Sequence, residues 1–206
     1  MRKLLRLRKS RNNRPMATET DIANMALDIL KEAPITSFEE KRPIAGWLKR
    51  NFAATRDAEL EKAEWNFALR RAALPAAADR PAFGWNNAFV LPSDCIRLIP
   101  LTECGTSEGR PIPHEVEDGR ILTNAAGPLK IRYVYRNTDY ARYPATFQMA
   151  LAARLAMGMA HWLTGKSNFA QIASNAYQQA KNDAWLSDAV QGTVPRAADN
   201  EWVDAR

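Results

Sequence analysis

Two short runs carry residue types that could do covalent or phosphate chemistry. Gly105-Thr106-Ser107-Glu108-Gly109 fits the spacing of a serine nucleophile elbow. That chemistry needs a strand before the serine and a helix after it, so that the hydroxyl stands exposed on a tight turn. Here Arg110-Pro111-Ile112-Pro113 follows, and two prolines in four residues cannot open a helix in that way. His114 and His161 are the only histidines that could serve as a base. The second run, Gly165-Lys166-Ser167, has the ending of a phosphate-binding loop. The full pattern needs glycine five positions before Gly165, where Ala160 stands, and a strand before the loop rather than a helix. A glycine helix cap followed by a serine at the next helix start accounts for the same residues.

Metal chemistry fares no better. Cys95, Cys104, His114 and His161 contain none of the close pairs from which zinc sites are built. Glu39, Glu40, Asp57, Glu59, Glu61 and Glu64 fall on predicted helix surfaces, where solvation is the default. Two cysteines make no disulfide framework, and both are read as buried or incidental thiols. No group of residues combines nucleophile, base and oxyanion donors. The expectation is a protein that is not an enzyme, with no catalytic, cofactor-binding or metal residues.

The elements that would position any site read as α+β. Ile22, Met25, Ala26, Ile29 and Leu30 repeat on one helix face, with Thr18 or Thr20 to cap it and Pro34 to end it. Ser37-Phe38-Glu39-Glu40 has the form of a capping box. It predicts a second helix through Ile44, Leu48, Phe52 and Thr55 to about Trp65, with Pro43 kinking its first turns. From Pro75 to Pro144 the chain becomes rich in proline and glycine between β-prone runs. Ala88-Phe89-Val90-Leu91 and residues 96–101 read as strands. Asp118-Gly119 marks a hairpin, because that pair suits a turn needing positive φ. Leu129, Ile131, Tyr133 and Tyr135 alternate with Lys130, Arg132, Val134 and Arg136, which predicts one apolar and one mostly polar face. Phe147, Leu151, Leu155, Met159 and Leu163 then form a helical stripe, and Phe169, Ile172, Ala173, Ala176, Tyr177 and Ala180 a second. The sum is a four-helix bundle, two helices N-terminal and two C-terminal, with an antiparallel β-rich insertion and an extended C-terminal tail. The expected divisions are an arm over 1–17, the bundle over 18–74 and 144–192, the insertion over 75–143 and the tail over 193–206.

A chain of 206 residues with 46% hydrophobic composition can bury a sizeable core. No apolar run reaches the roughly 18 residues of a membrane span. The longest stretch, 149–163, is broken by Arg154 and His161. Leu4, Leu5 and Leu7 make no continuous apolar signal core, so no signal peptide is expected. The net charge of +6 is concentrated. Arg2, Lys3, Arg6, Arg8, Lys9, Arg11 and Arg14 lie within the first fifteen residues without an acid, and the remainder is near neutral. A transit peptide would be amphipathic and serine-rich, which this arm is not. Two readings stay open: a flexible arm touching nucleic-acid phosphates, and an extension upstream of a start at Met16.

Several stretches in order resemble a known family. Arg56-Asp57-Ala58 lies on a helix that closes with Trp65-Asn66-Phe67-Ala68. Leu91-Pro92-Ser93-Asp94-Cys95-Ile96-Arg97 opens the β region, and Arg120-Ile121-Leu122-Thr123 follows the hairpin. Ile131-Arg132-Tyr133-Val134-Tyr135-Arg136-Asn137-Thr138-Asp139 leads through Tyr143-Pro144 into residues 147–156. In this order and spacing they resemble the tail tubular protein A family, the head–tail adaptors of short-tailed phages, over roughly residues 18–192. The basic arm departs from the pattern. The resemblance implies a dodecameric ring at the virion head–tail junction, assembled in the host cytoplasm. It implies a portal partner above, a tail nozzle and tail fibres below, and DNA passing through the lumen without sequence specificity.

On that basis Phe83, Trp85 and Phe89 are expected to face tail components, since aromatic residues are enriched where partners bury them. Tyr140 and Tyr143 belong to the same aromatic supply. Trp202 and Val203, with Arg196 and Arg206 beside them, are expected to dock on the portal as an aromatic anchor in a polar rim. The seven basic residues of the arm are assigned to DNA phosphate or portal contact. The competing classes are a nucleic-acid-binding protein acting through the arm and a small hydrolase built on Ser107.

Overall fold

The structure is a computed structural model that describes residues 17–106, 109–164 and 167–191. The first helix, α1 (Glu19–Ile29), starts at a reciprocal cap. Thr18 Oγ1 accepts from the Asp21 backbone N–H at 3.1 Å, and the Asp21 carboxylate accepts from Thr18 N at 2.9 Å. The second, α2 (Pro43–Glu61), begins six residues after the expected cap at Ser37. Proline lacks an N–H and clashes with the preceding turn inside a helix, but suits the first helical position. Ser37 and Glu40 instead close a turn, accepting from Glu39 N and Thr36 N.

A 3₁₀ turn (Asn66–Ala68) leads into six strands: β1 (Leu69–Leu74), β2 (Asn87–Val90), β3 (Cys95–Leu98), β4 (His114–Glu117), β5 (Arg120–Thr123) and β6 (Leu129–Tyr135). They form two three-stranded antiparallel sheets, ordered β1-β6-β3 and β2-β5-β4. The β4–β5 hairpin turns at Asp118 and Gly119, both at positive φ (46° and 69°), as their sequence predicts. A second 3₁₀ turn (Tyr140–Arg142) precedes α3 (Ala145–Thr164) and α4 (Ser167–Ala189).

This architecture overturns the expected four-helix bundle with a β insertion. The fold is α+β, but its sheets are half of the design. The first strand begins at Leu69, within the stretch 18–74 assigned to the bundle, and pairs along its whole length with β6, Leu69 opposite Val134 and Leu74 opposite Leu129. Nothing in Leu-Arg-Arg-Ala-Ala-Leu has a clear period. Its strand state is set by hydrogen bonds to residues about sixty positions later, which no local pattern encodes. Helices α1, α3 and α4 pack together, while α2 packs on α3 and also on β3 and β6.

Two cores result. The larger holds Ile22, Leu27, Leu48, Leu60, Phe147, Leu151, Leu155 and Met159 between the helices. The smaller lies between the sheets and holds Phe89, Leu101, Ile121, Leu129, Ile131 and Tyr133. Strand β6 serves both. Its Leu129, Ile131, Tyr133 and Tyr135 enter the smaller core, and Val134, expected on a mostly polar face, is buried under the helices. Arg132 on that same side pairs with Glu64 at 3.7 Å.

Candidate interaction surfaces

Charged groups at the element junctions are largely consumed internally. Glu59 on α2 is 2% exposed. Its carboxylate accepts from Lys62 Nζ and from the Tyr177 hydroxyl of α4 at 3.1 Å, with Arg154 Nε of α3 at 3.5 Å. Its backbone carbonyl accepts from Trp65 Nε1 at 3.0 Å. Burial works against the charge on Lys62, but hydrogen bonds to Glu59 and Tyr177 outweigh it and raise the ammonium above its ordinary value. A second cluster ties α2 to the sheet. Arg56 donates to Asp57 and to Tyr140 Oη, and Arg136 donates to Asp57 at 2.8 Å. These networks fasten helices to strands.

Ser107, Gly165 and Lys166 lie outside the described residues, as does the side chain of His161. The described residues around Ser107 form an irregular hairpin. Glu103 N donates to Arg110 O, Thr102 bridges Pro111, and the next element is strand β4. His114 Nδ1 lies 2.8 Å from Ile112 O. Cys95 is half-buried, and burial pushes its thiol up. Cys104, expected to be buried or incidental, is exposed, and hydrogen bonding to Thr106 holds its thiol below the ordinary value. Among the described residues no three His, Cys, Asp or Glu side chains cluster as metal ligands, and no helix is long and apolar enough to cross a membrane.

The aromatic residues separate into two kinds. Phe89 is 0% exposed in the smaller core, so its side chain supports the surface from beneath and meets no partner directly. Tyr143 is also buried, stacked edge-on with Phe147, and Tyr140 packs beside it. Phe83 is 88% exposed. The loop that carries it is fastened to the second sheet, since Trp85 Nε1 donates to Glu115 at 2.8 Å and Asn86 N to Asn124 at 3.0 Å. Gly84 takes φ +81°, a conformation that costs glycine little, and lets the chain turn sharply after Phe83. Arg196, Trp202, Val203, Arg206 and the seven basic residues of the arm lie outside the described residues.

A further surface lies along α4. Ile172, Ala176, Gln179, Asp183 and Leu186 follow offsets of four and three along α4, which puts them on one helix face, and Val190 follows just past its end. Ile172, expected to face α3, is 52% exposed, Leu186 68% and Val190 86%. Midway along this face, α1, α3 and α4 enclose a groove of about 290 Å³ lined by Met25, Ile29, Met149, Ala153, Ala176 and Ala180. The signal was available: α4 has apolar residues on two faces, and only one can meet α3.

Comparison of the chain with protein-family models gives no match, and comparison with curated proteins gives none either.

Proposed function

We propose that the chain is a structural ring subunit of a phage head–tail junction, an adaptor between portal and tail nozzle that surrounds the DNA channel. The observation that carries this reading is the presence of two exposed apolar surfaces of different make. One is the α4 face with its groove, on the helical core. The other is the outer face of the second sheet and its loop, with Phe83 and Val90 exposed. A ring needs heterologous contacts, in which one patch meets a different patch on the next copy. Large exposed apolar patches on a protein surface mark interaction sites. The ordered motifs that resemble tail tubular protein A supply the identity of the ring.

In this reading the helical part lies nearer the portal and the second sheet nearer the tail, and the segment 193–206 with Trp202 grips the portal. Electron microscopy of the purified protein, alone and mixed with its cognate portal, tests it. The expected result is a closed ring seated coaxially on the portal. Protein that stays monomeric in both conditions overturns the reading.

The concentration of seven basic residues in the first fifteen favours one alternative, a nucleic-acid-binding protein acting through its arm. That alternative requires DNA affinity that falls steeply with salt, with a logarithmic slope of about −0.9 for each phosphate neutralised, and that disappears when residues 2–15 are deleted.

A further inference from the structure

We infer that the groove between α1, α3 and α4 receives the Phe83 loop of a second copy of this chain, and that this contact is the repeating joint of the ring. The inference rests on the ring reading above and adds which surfaces meet. The groove is floored by small side chains, Ala153, Ala176 and Ala180, and walled by Met25, Ile29 and Met149, whose flexible thioethers and branched chain can close around an inserted group. An apolar cavity of about 150 Å³ already holds benzene, so a groove of about 290 Å³ has room for a phenyl ring. Phe83 is the most exposed large apolar side chain in the described residues, on a loop held out from the second sheet.

Charge matches shape. Asp183 stands at the groove rim and Arg80 stands three residues before Phe83. Both are exposed, and neither has an ion-pair partner among the described residues. The loop cannot fill the groove of its own chain. Ala77 N bonds to Ala88 O before it and Trp85 to Glu115 after it, which fixes it over the second sheet, and no residue lines both places. A loop on one core that enters a groove on the other core of the next copy is a heterologous contact. Repeated with a rotation that returns to the first copy, such contacts make a closed ring. Phe83, expected from the sequence to face tail components, is thereby given to the neighbouring subunit, and Val90 on the outer face of the second sheet remains for the tail.

The test uses the full chain with Cys104→Ser to remove the exposed thiol. Copies carrying Ala82→Cys are mixed with copies carrying Gln179→Cys under mild oxidation. The expected result is a disulfide-linked dimer from the mixture and none from either copy alone. Adding Phe83→Ser to the first copy, or Ala180→Leu to the second to fill the groove, should weaken self-association about tenfold or more. Arg80→Glu should weaken it too, and Asp183→Arg should restore it, a rescue that a misfolded variant would not show. If the wild-type ring forms but the mixture gives no cross-link and Phe83→Ser leaves the ring intact, this contact is overturned and the ring reading stands. Cross-linking of the Gln179→Cys copy to Trp202→Cys, and not to Ala82→Cys, gives the groove to the C-terminal segment and overturns it as well. A wild-type protein that never associates, alone or on portal, removes the ring reading itself.

Discussion

Glu59 and Tyr143 are the two side chains whose burial makes the strongest demands. Glu59 is held by three donors, from α3, from α4 and from Lys62 just past the end of α2, and two of them, Lys62 and Arg154, are more than a third exposed. Removing the carboxylate frees two cations that still reach water. Glu59→Ala is therefore expected to cost about 2–3 kcal/mol, below the roughly 3–5 kcal/mol of a fully buried pair. Lys62→Ala leaves Glu59 bonded to Arg154 and Tyr177 and should cost less than about 1.5 kcal/mol. Urea unfolding of both variants checks the order, and equal costs would mean that Glu59 is not the hub. Tyr143 donates to Asn137 O at 2.6 Å, and burial pushes its phenol well above the ordinary value of 10.0. The folded state thus favours the neutral phenol. That stabilisation is complete below the unfolded value and is lost as pH rises through 10 toward the higher folded value. The melting temperature should fall above pH 10, and less steeply in Tyr143→Phe. A parallel fall in the variant would assign the alkaline loss to Tyr133, Tyr140 and Tyr177, whose values are also raised.

Among the elements, α3 is the one every other helix touches. Its stripe of Phe147, Leu151, Leu155 and Met159 is fully buried, as the i, i+4 spacing predicts. Leu151→Ala should cost about 2–5 kcal/mol, because a cavity in a packed core relaxes only in part. Ile172→Ala on α4 should cost under about 1 kcal/mol in the isolated chain, because that side chain lies mostly in water. The pair of measurements checks the register of α4 on α3. Comparable losses would put Ile172 back at the helix–helix interface. The register matters for function because it decides which α4 face is left for a partner.

For the whole molecule, the two cores joined through β6 make a body with different surfaces at different places, which is what a heterologous assembly needs. Truncation after Gly192 keeps every described residue of both cores and should weaken portal binding, with Trp202→Ala alone reproducing much of the loss. Affinity measured by light scattering or sedimentation checks this. Truncated protein that docks with unchanged affinity takes the portal contact away from the tail.

What the sequence determined by itself is whatever depends on near neighbours along the chain. A threonine at the start of α1, read as Thr18 or Thr20 and found to be Thr18, capped that helix, Asp118-Gly119 turned the β4–β5 hairpin, and the spacing of Phe147 to Met159 defined the buried face of α3. Cap, turn and amphipathic stripe each act within a few residues, so each leaves a local pattern. The tertiary structure alone decided three things. It made Leu69–Leu74 a strand, through hydrogen bonds to β6. It buried Val134 as well as Tyr133, because β6 is covered on both faces. It left Ile172, Leu186 and Val190 in water, because α4 meets α3 with its other apolar face. Each of these outcomes depends on segments brought together from distant positions, and it is from such segments that the groove and the protruding Phe83 loop are made.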